Sequence, residues 1–210
     1  MILVGQFDSP VTRRIGVTLH HYAIPFTRDT RSIFGDAAEI AKISPLTRIP
    51  ALILDDGEVL IDSVAILDHL DESVDPATAL VARSGPDRRR VLQVAALAQG
   101  TLEKVVAVVY ERHYHPAAHI SREWEARCRS QLVAGLTELE RRCLTPWYCG
   151  SKFSHADIMI GCLVAYLRLR LPEAFLDTDY PNLATLSARC EALPCFKAAA
   201  ISANETMPET

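Results

Sequence analysis

Six cysteines occur in the chain, yet no two are spaced Cys-x-x-Cys, so zinc-ribbon and dithiol redox signatures are missing. Cys128, Cys143, Cys149, Cys162, Cys190 and Cys195 all lie in the second half. They read as buried or half-buried free thiols of a reducing compartment. Basic charge is not in excess: Lys+Arg 22 against Asp+Glu 26 gives a net charge of −4. Phosphate binding wants a concentrated basic surface, so a nucleic-acid partner is not expected. No apolar run approaches the roughly 18–20 residues of a membrane span. The apolar start, MILVGQFDSPVTRR, has no basic stretch before it and does not read as a secretory signal. The expectation is a cytoplasmic protein with no membrane partner. Internal repeats and low-complexity tracts are also missing.

What is present is the mixture of a packed globule, with 49% hydrophobic and 23% charged residues in 210. That length suits one large domain or two small ones. Residues 1–75 alternate short apolar runs with helical patterns. Met1–Phe7 reads as a strand ended by Asp8-Ser9-Pro10, and residues 11–22 as a helix. Pro25–Arg28 is a weakly signalled strand and Asp36–Ile43 a short helix. Ala51–Leu54 and Val59–Ile61 flank the Asp55-Asp56-Gly57 turn as a hairpin, and Ser63–Leu70 is a third helix. The order β-α-β-α-β-β-α is that of a thioredoxin-like domain, with its first two strands parallel. Residues 76–86, with Pro76, Gly85 and Pro86, read as a linker. Residues 87–210 read as an all-helical domain, with long helices over Asp87–Tyr114 and Ser121–Cys143 and shorter ones over Ser154–Leu171, Asn182–Leu193 and Pro194–Ala203. The fold class is therefore α+β in two domains. The residues after Ala203 are expected to fray.

Three segments of the first domain carry chemistry. In Asp8-Ser9-Pro10-Val11-Thr12 a hydroxyl stands where a strand gives way to a helix. The unpaired N–H groups and partial positive charge of a helix start stabilise an anion. Ser9 is either a plain cap or a donor to a thiolate. In Arg48-Ile49-Pro50-Ala51 a proline opens a strand. It is either a trans proline at a sheet edge, or follows a cis bond that turns the Ile49 main chain toward a peptide-like ligand. In Ile61-Asp62-Ser63, Ser63 is either a helix cap or part of a nest for a carboxylate, with Asp62 able to accept from an α-amino group. The three together describe a site for a short anionic, peptide-like molecule bearing a thiol.

The set Ser9-Pro10-x-x-Arg13, Leu46-Thr47-Arg48-Ile49-Pro50-Ala51-Leu52 and Leu60-Ile61-Asp62-Ser63-x-Ala65-Ile66 resembles the cytosolic glutathione transferases. Phe153-Ser154-His155-Ala156-Asp157-Ile158 matches that family's capping box, in which Ser154 caps a helix and Asp157 reaches back to its main chain. The resemblance covers roughly residues 1–200 and points to the bacterial Ser-type groups. It implies a glutathione-binding first domain, with glutathione as co-substrate and neither metal nor organic cofactor. Ser9 would donate to the sulfur, with Thr12 as a second hydroxyl able to share or take that role. Ile49 would pair its backbone with the cysteinyl part, with Pro50 cis. Asp62 and Ser63 would hold the γ-glutamyl end, and Arg48 the glycyl carboxylate. Tyr110, Tyr114 and Arg168 are candidates for the electrophile pocket. His113, His115 and His119 straddle Pro116, which breaks the face a metal would need. The activity implied is a detoxifying transfer of the glutathione thiolate to a small, hydrophobic electrophile, in a two-fold homodimer. Its alternatives are a glutathione-dependent isomerase or lyase, and a non-enzymatic binding protein on the same fold.

Overall fold

A computed structural model describes residues 1–205. Gly5 ends the opening strand by turning the chain into the left-handed region at φ +125°, so β1 is only Ile2–Val4 and not Met1–Phe7. The helix α1, Pro10–His21, starts at Ser9 as its cap and has proline in its first turn, where the missing N–H costs nothing. Next come β2 (Thr27–Asp29), α2 (Ala37–Ala41), β3 (Ala51–Ile53), β4 (Val59–Ile61) and α3 (Ser63–Glu72). The weak strand thus begins after Pro25 and Phe26, since proline has no N–H for a ladder. The sheet runs β2-β1-β3-β4. Ile2, Leu3 and Val4 pair in parallel with Thr27, Arg28 and Asp29 and antiparallel with Ile53, Leu52 and Ala51. The pair β3/β4 is the expected hairpin.

The described residues fall into two compact units. One is Met1–Leu80 with the chain from Glu191 onward, the other Val81–Cys190. The sequence reading has a single cut in the linker, whereas the structure has two. The return is carried by α8, Pro194–Ala198, which packs on α1. Arg13 fastens it: its guanidinium, 3% exposed, donates to both carboxylate oxygens of Glu191 at 2.7 and 2.8 Å and to the Ala199 carbonyl at 2.9 Å. Helix α1 consequently buries charged as well as apolar residues. The expected fraying after Ala203 is not seen at Glu205, which is buried; residues 206–210 lie outside the described residues.

The second unit is built on α4 (Gly85–Tyr114), α5 (Arg122–Arg142), α6 (His155–Arg170) and most of α7 (Pro181–Ala192). By length and composition alone α4 is apolar enough to cross a membrane, which the sequence reading did not anticipate. Its Val94, Ala98, Leu102, Val105 and Val109 are buried, and the helix packs along α5 and α6, as the core helix of a folded domain does. Helices α4 and α5 approach closely at Gly135, where a Cβ would lie 2.2 Å from Thr101 Oγ1. Gly135→Ala is expected to lower stability by ~1–3 kcal/mol through overpacking. Thermal denaturation checks this; an unchanged midpoint would show that Thr101 simply rotates away.

Candidate functional site

The first unit gathers Ser9, Thr12, Ile49 and Ser63 through contacts the sequence did not announce. Gly5 brings two of them together, since a Cβ there would sit 2.8 Å from Thr12 Oγ1 and 2.9 Å from Ile49 Cβ. Arg14, on α1, donates to the Ser63 hydroxyl at the start of α3. Helix α1 therefore carries a cap at one end of the site and a tether to the other.

Ser9 is half-buried, and its Oγ accepts only a long 3.4 Å bond from the Thr12 N–H. Its hydroxyl proton stays available to a ligand. The Val11 N–H has no partner among the described residues, and the first turn holds no acidic side chain. An anion would find there a hydroxyl, an N–H and the positive end of the helix dipole.

Thr12 is different. It has 0% exposure, and its Oγ1 is buried without a hydrogen-bond partner among the described residues. It faces the gap left by Gly5, so burial counts against Thr12 as the group that meets a sulfur arriving from solvent.

The Ile49–Pro50 peptide is cis, and β3 begins only at Ala51. Among the described residues neither the N–H nor the carbonyl of Ile49 is hydrogen-bonded, so a strand-like ligand could pair there. Arg48 is exposed and makes no ion pair among the described residues.

At the third segment the cap is Asp62, not Ser63. Asp62 has φ +68°, and its carboxylate accepts from the Val64 N–H at 2.8 Å. Ser63 is 4% exposed, with its oxygen engaged by Arg14. A carboxylate at this helix start would meet the Ser63 N–H and the nearby guanidinium charge, and the Ser63 hydroxyl, which accepts from Arg14, keeps its proton to donate.

In the second unit Tyr110 and Tyr114 meet edge to face, with ring centroids 5.4 Å apart. Arg168 is already occupied, donating to Asp177 at 2.8 Å and lying over the Phe175 ring. Its charge is therefore partly neutralised. Burial pushes the Cys143 and Cys149 thiols up to about 11, so both stay protonated at neutral pH. Among the described residues no cluster of three or more His, Cys, Asp or Glu could hold a metal ion.

Sequence reasoning missed Gly5, Arg14 and the trio Phe7, Arg28 and Glu205. Glu205 accepts from the Phe7 N–H at 2.8 Å and from Arg28 Nη1 at 2.9 Å. Burial alone would raise its carboxyl, but Arg28 and the Phe7 N–H outweigh that and hold it below its usual value. A carboxylate lowered on folding stabilises the fold above its ordinary pKa of 4.5, and that contribution disappears as pH falls through the lowered value. Acid unfolding of Glu205→Gln is therefore expected to be less steep than that of the native chain. Identical acid transitions would refute the contribution.

Two family models match the chain: "Glutathione S-transferase, N-terminal domain" over residues 8–73 and "Glutathione S-transferase, C-terminal domain" over residues 122–189. A glutathione S-transferase from Methylobacterium radiotolerans, solved in complex with glutathione sulfonate, superimposes with a TM-score of 0.91 at 28% identity, covering 100% of this chain and 98% of that one. A glutathione transferase family member from Pseudomonas fluorescens Pf-5, solved with bound glutathione, is 31% identical with a TM-score of 0.85, covering 94% of this chain and 97% of that one. A probable maleylacetoacetate isomerase 1 of Drosophila melanogaster is 28% identical, covering 94% of this chain and 80% of that protein.

Proposed function

We propose, on the premise that this chain belongs to the glutathione S-transferase family, that it binds glutathione and transfers its thiolate to small hydrophobic electrophiles. The observation that carries this is the start of α1, where a half-buried Ser9 hydroxyl stands beside the open Val11 N–H with no acidic side chain in the first turn. A free thiol titrates near 8.5, and lowering that by ~2 units takes about 2.7 kcal/mol of preferential thiolate binding. One hydroxyl donated to a charged acceptor contributes roughly 1.5–3 kcal/mol, and the helix dipole about 0.3–1 kcal/mol. Together they reach the requirement, and no metal or organic cofactor is needed for the step.

The remaining groups position the tripeptide. The Ile49 main chain, leading into Pro50, pairs with the cysteinyl unit. Asp62 accepts from the γ-glutamyl amine, and the Ser63 N–H meets the γ-glutamyl carboxylate. Arg48 reaches the glycyl carboxylate. Tyr110 and Tyr114 offer aromatic faces to the electrophile. We read the protein as a cytoplasmic detoxifying enzyme and a two-fold homodimer, a state that sedimentation tests directly.

A second reading, a glutathione-dependent isomerase, is favoured by the likeness to a probable maleylacetoacetate isomerase over nearly the whole chain. It uses the same thiolate, adding it to a conjugated double bond and releasing it after rotation. Calorimetric titration with glutathione, followed by parallel assays with a chlorinated aromatic acceptor and with maleylacetoacetate, separates the two. Conjugation at the faster rate supports the transferase, and cis–trans conversion without a conjugate supports the isomerase. Absence of heat on adding glutathione would remove both.

A further inference from the structure

We infer that Glu205, far from Ser9 in sequence, is a positioning residue for the Ser9 hydroxyl, acting through the loop between β1 and α1. The inference rests on the glutathione reading above. The loop is a tight turn, in which the Ser9 N–H donates to the Gln6 carbonyl at 3.2 Å and Phe7 lies inside. Phe7 is held from three directions. Its ring packs into the space left by Gly16 of α1, where a Cβ would be 2.4 Å from Phe7 Cε1. The Arg28 guanidinium lies over the ring face, 3.6 Å from the centroid. Its N–H donates to Glu205, whose other bonds go to that same guanidinium.

Glu205 is thus shared between the main chain of the loop and the cation that clamps its aromatic residue. Without the carboxylate, the buried Phe7 N–H loses its acceptor and the mostly buried guanidinium keeps only a long 3.5 Å bond to the Gly5 carbonyl. The loop can recover hydration only by opening. Opening displaces Ser9, because Phe7 sits between Ser9 and its turn partner Gln6. The cap of α1 and the donor to the sulfur are the same atom, so a shift of the loop is read by the thiol.

The sign of the effect identifies its cause. Removing a carboxylate near the site, and leaving Arg28 unneutralised, would by charge alone favour a thiolate and lower the thiol pKa. Displacing the Ser9 donor raises it. The experiment titrates the ultraviolet absorbance of the thiolate of glutathione bound to the full-length chain, in the native protein and in Glu205→Ala. The expected result is an apparent thiol pKa raised by about one unit, which from a native value about 2 units below the free thiol leaves roughly threefold less thiolate at about pH 7, with glutathione affinity little changed. Glu205→Gln keeps an acceptor for the Phe7 N–H and is expected to recover most of the shift. Should Glu205→Ala not fold, Glu205→Asp keeps the charge but shortens the reach, and is expected to raise the pKa part of the way. An unchanged or lowered pKa in the Ala or Asp variant overturns the inference, even if thermal stability falls. A native chain that does not bind glutathione overturns the functional reading itself. Native binding with a lowered thiol pKa and indifferent Glu205 variants overturns this inference alone.

Discussion

Ser9→Ala is expected to lower conjugation of a chlorinated aromatic acceptor by roughly ten- to a hundredfold at neutral pH, since a hydrogen bond to a charged acceptor is worth about 1.5–3 kcal/mol. The loss should fall on kcat rather than on the KM for glutathione. In the proposed arrangement Ile49, Asp62 and the start of α3 hold the tripeptide at other atoms, so only the sulfur would lose its donor. The rate should recover at alkaline pH, where glutathione ionises without help. Because Ser9 also caps α1, the same variant should be less stable by ~1 kcal/mol. Ser9→Gly, which serves at the cap nearly as well as serine but has no hydroxyl, separates the two effects by recovering most of the stability and none of the rate. Thr12→Val is the counterpart. Thr12 Oγ1 is buried against the backbone of Gly5, and the valine methyl occupies the same volume. Its rate should stay near the native one. A larger loss in Thr12→Val than in Ser9→Ala would reverse the assignment.

Asp157→Ala is expected to destabilise the helical unit by ~3–5 kcal/mol, the range of a broken buried network. Asp157 has 0% exposure and accepts from the Tyr148 N–H at 2.7 Å, the Ser154 N–H at 2.9 Å and the Ser154 hydroxyl at 2.8 Å. Those donors join the 147–150 turn to the start of α6, whose buried face runs through Ile158, Ile160, Leu163 and Leu167. Alanine removes all three acceptor contacts at once and leaves two buried N–H groups with nothing to replace them. Burial pushes the Asp157 carboxyl above its usual range, and the bonds from Tyr148 and Ser154 oppose that without cancelling it. The side chain is retained for its acceptors, not for a comfortable charge. Denaturant unfolding of the variant checks the expectation, and a change smaller than that of a single exposed cap would contradict it.

Much of this arrangement was legible in residue order. The helices of the second unit follow from apolar spacing and from their caps, Ser121 and Ser154. The capping box was visible because both members lie within one turn. Ser9 stood out because a hydroxyl followed by proline after an apolar run marks a helix start. What escaped depends on chain segments far apart in sequence. Nothing near Ser63 shows that Arg14 will take its oxygen, and nothing near Asp62 shows that it will adopt φ +68° and displace Ser63 as the cap. Gly5 gave a faint signal, a glycine at a strand end, but its meaning lies in how closely Thr12 and Ile49 approach it. Glu205 gave none. A glutamate in a polar C-terminal stretch looks solvated until Phe7 and Arg28 are placed beside it. The pairing of Arg168 with Asp177 escaped for a similar reason, since Asp177 lies past a 3-10 turn at Pro172–Ala174 that local pattern does not fold back.

The central claim, that the start of α1 holds glutathione as a thiolate, is tested most directly by titrating the thiolate absorbance of glutathione bound to the native chain and to Ser9→Ala. The account requires an apparent pKa about 2 units below the free thiol in the native chain and a return most of the way toward ~8.5 in the variant. A native pKa equal to that of free glutathione, or the same lowered pKa with and without the Ser9 hydroxyl, would contradict it.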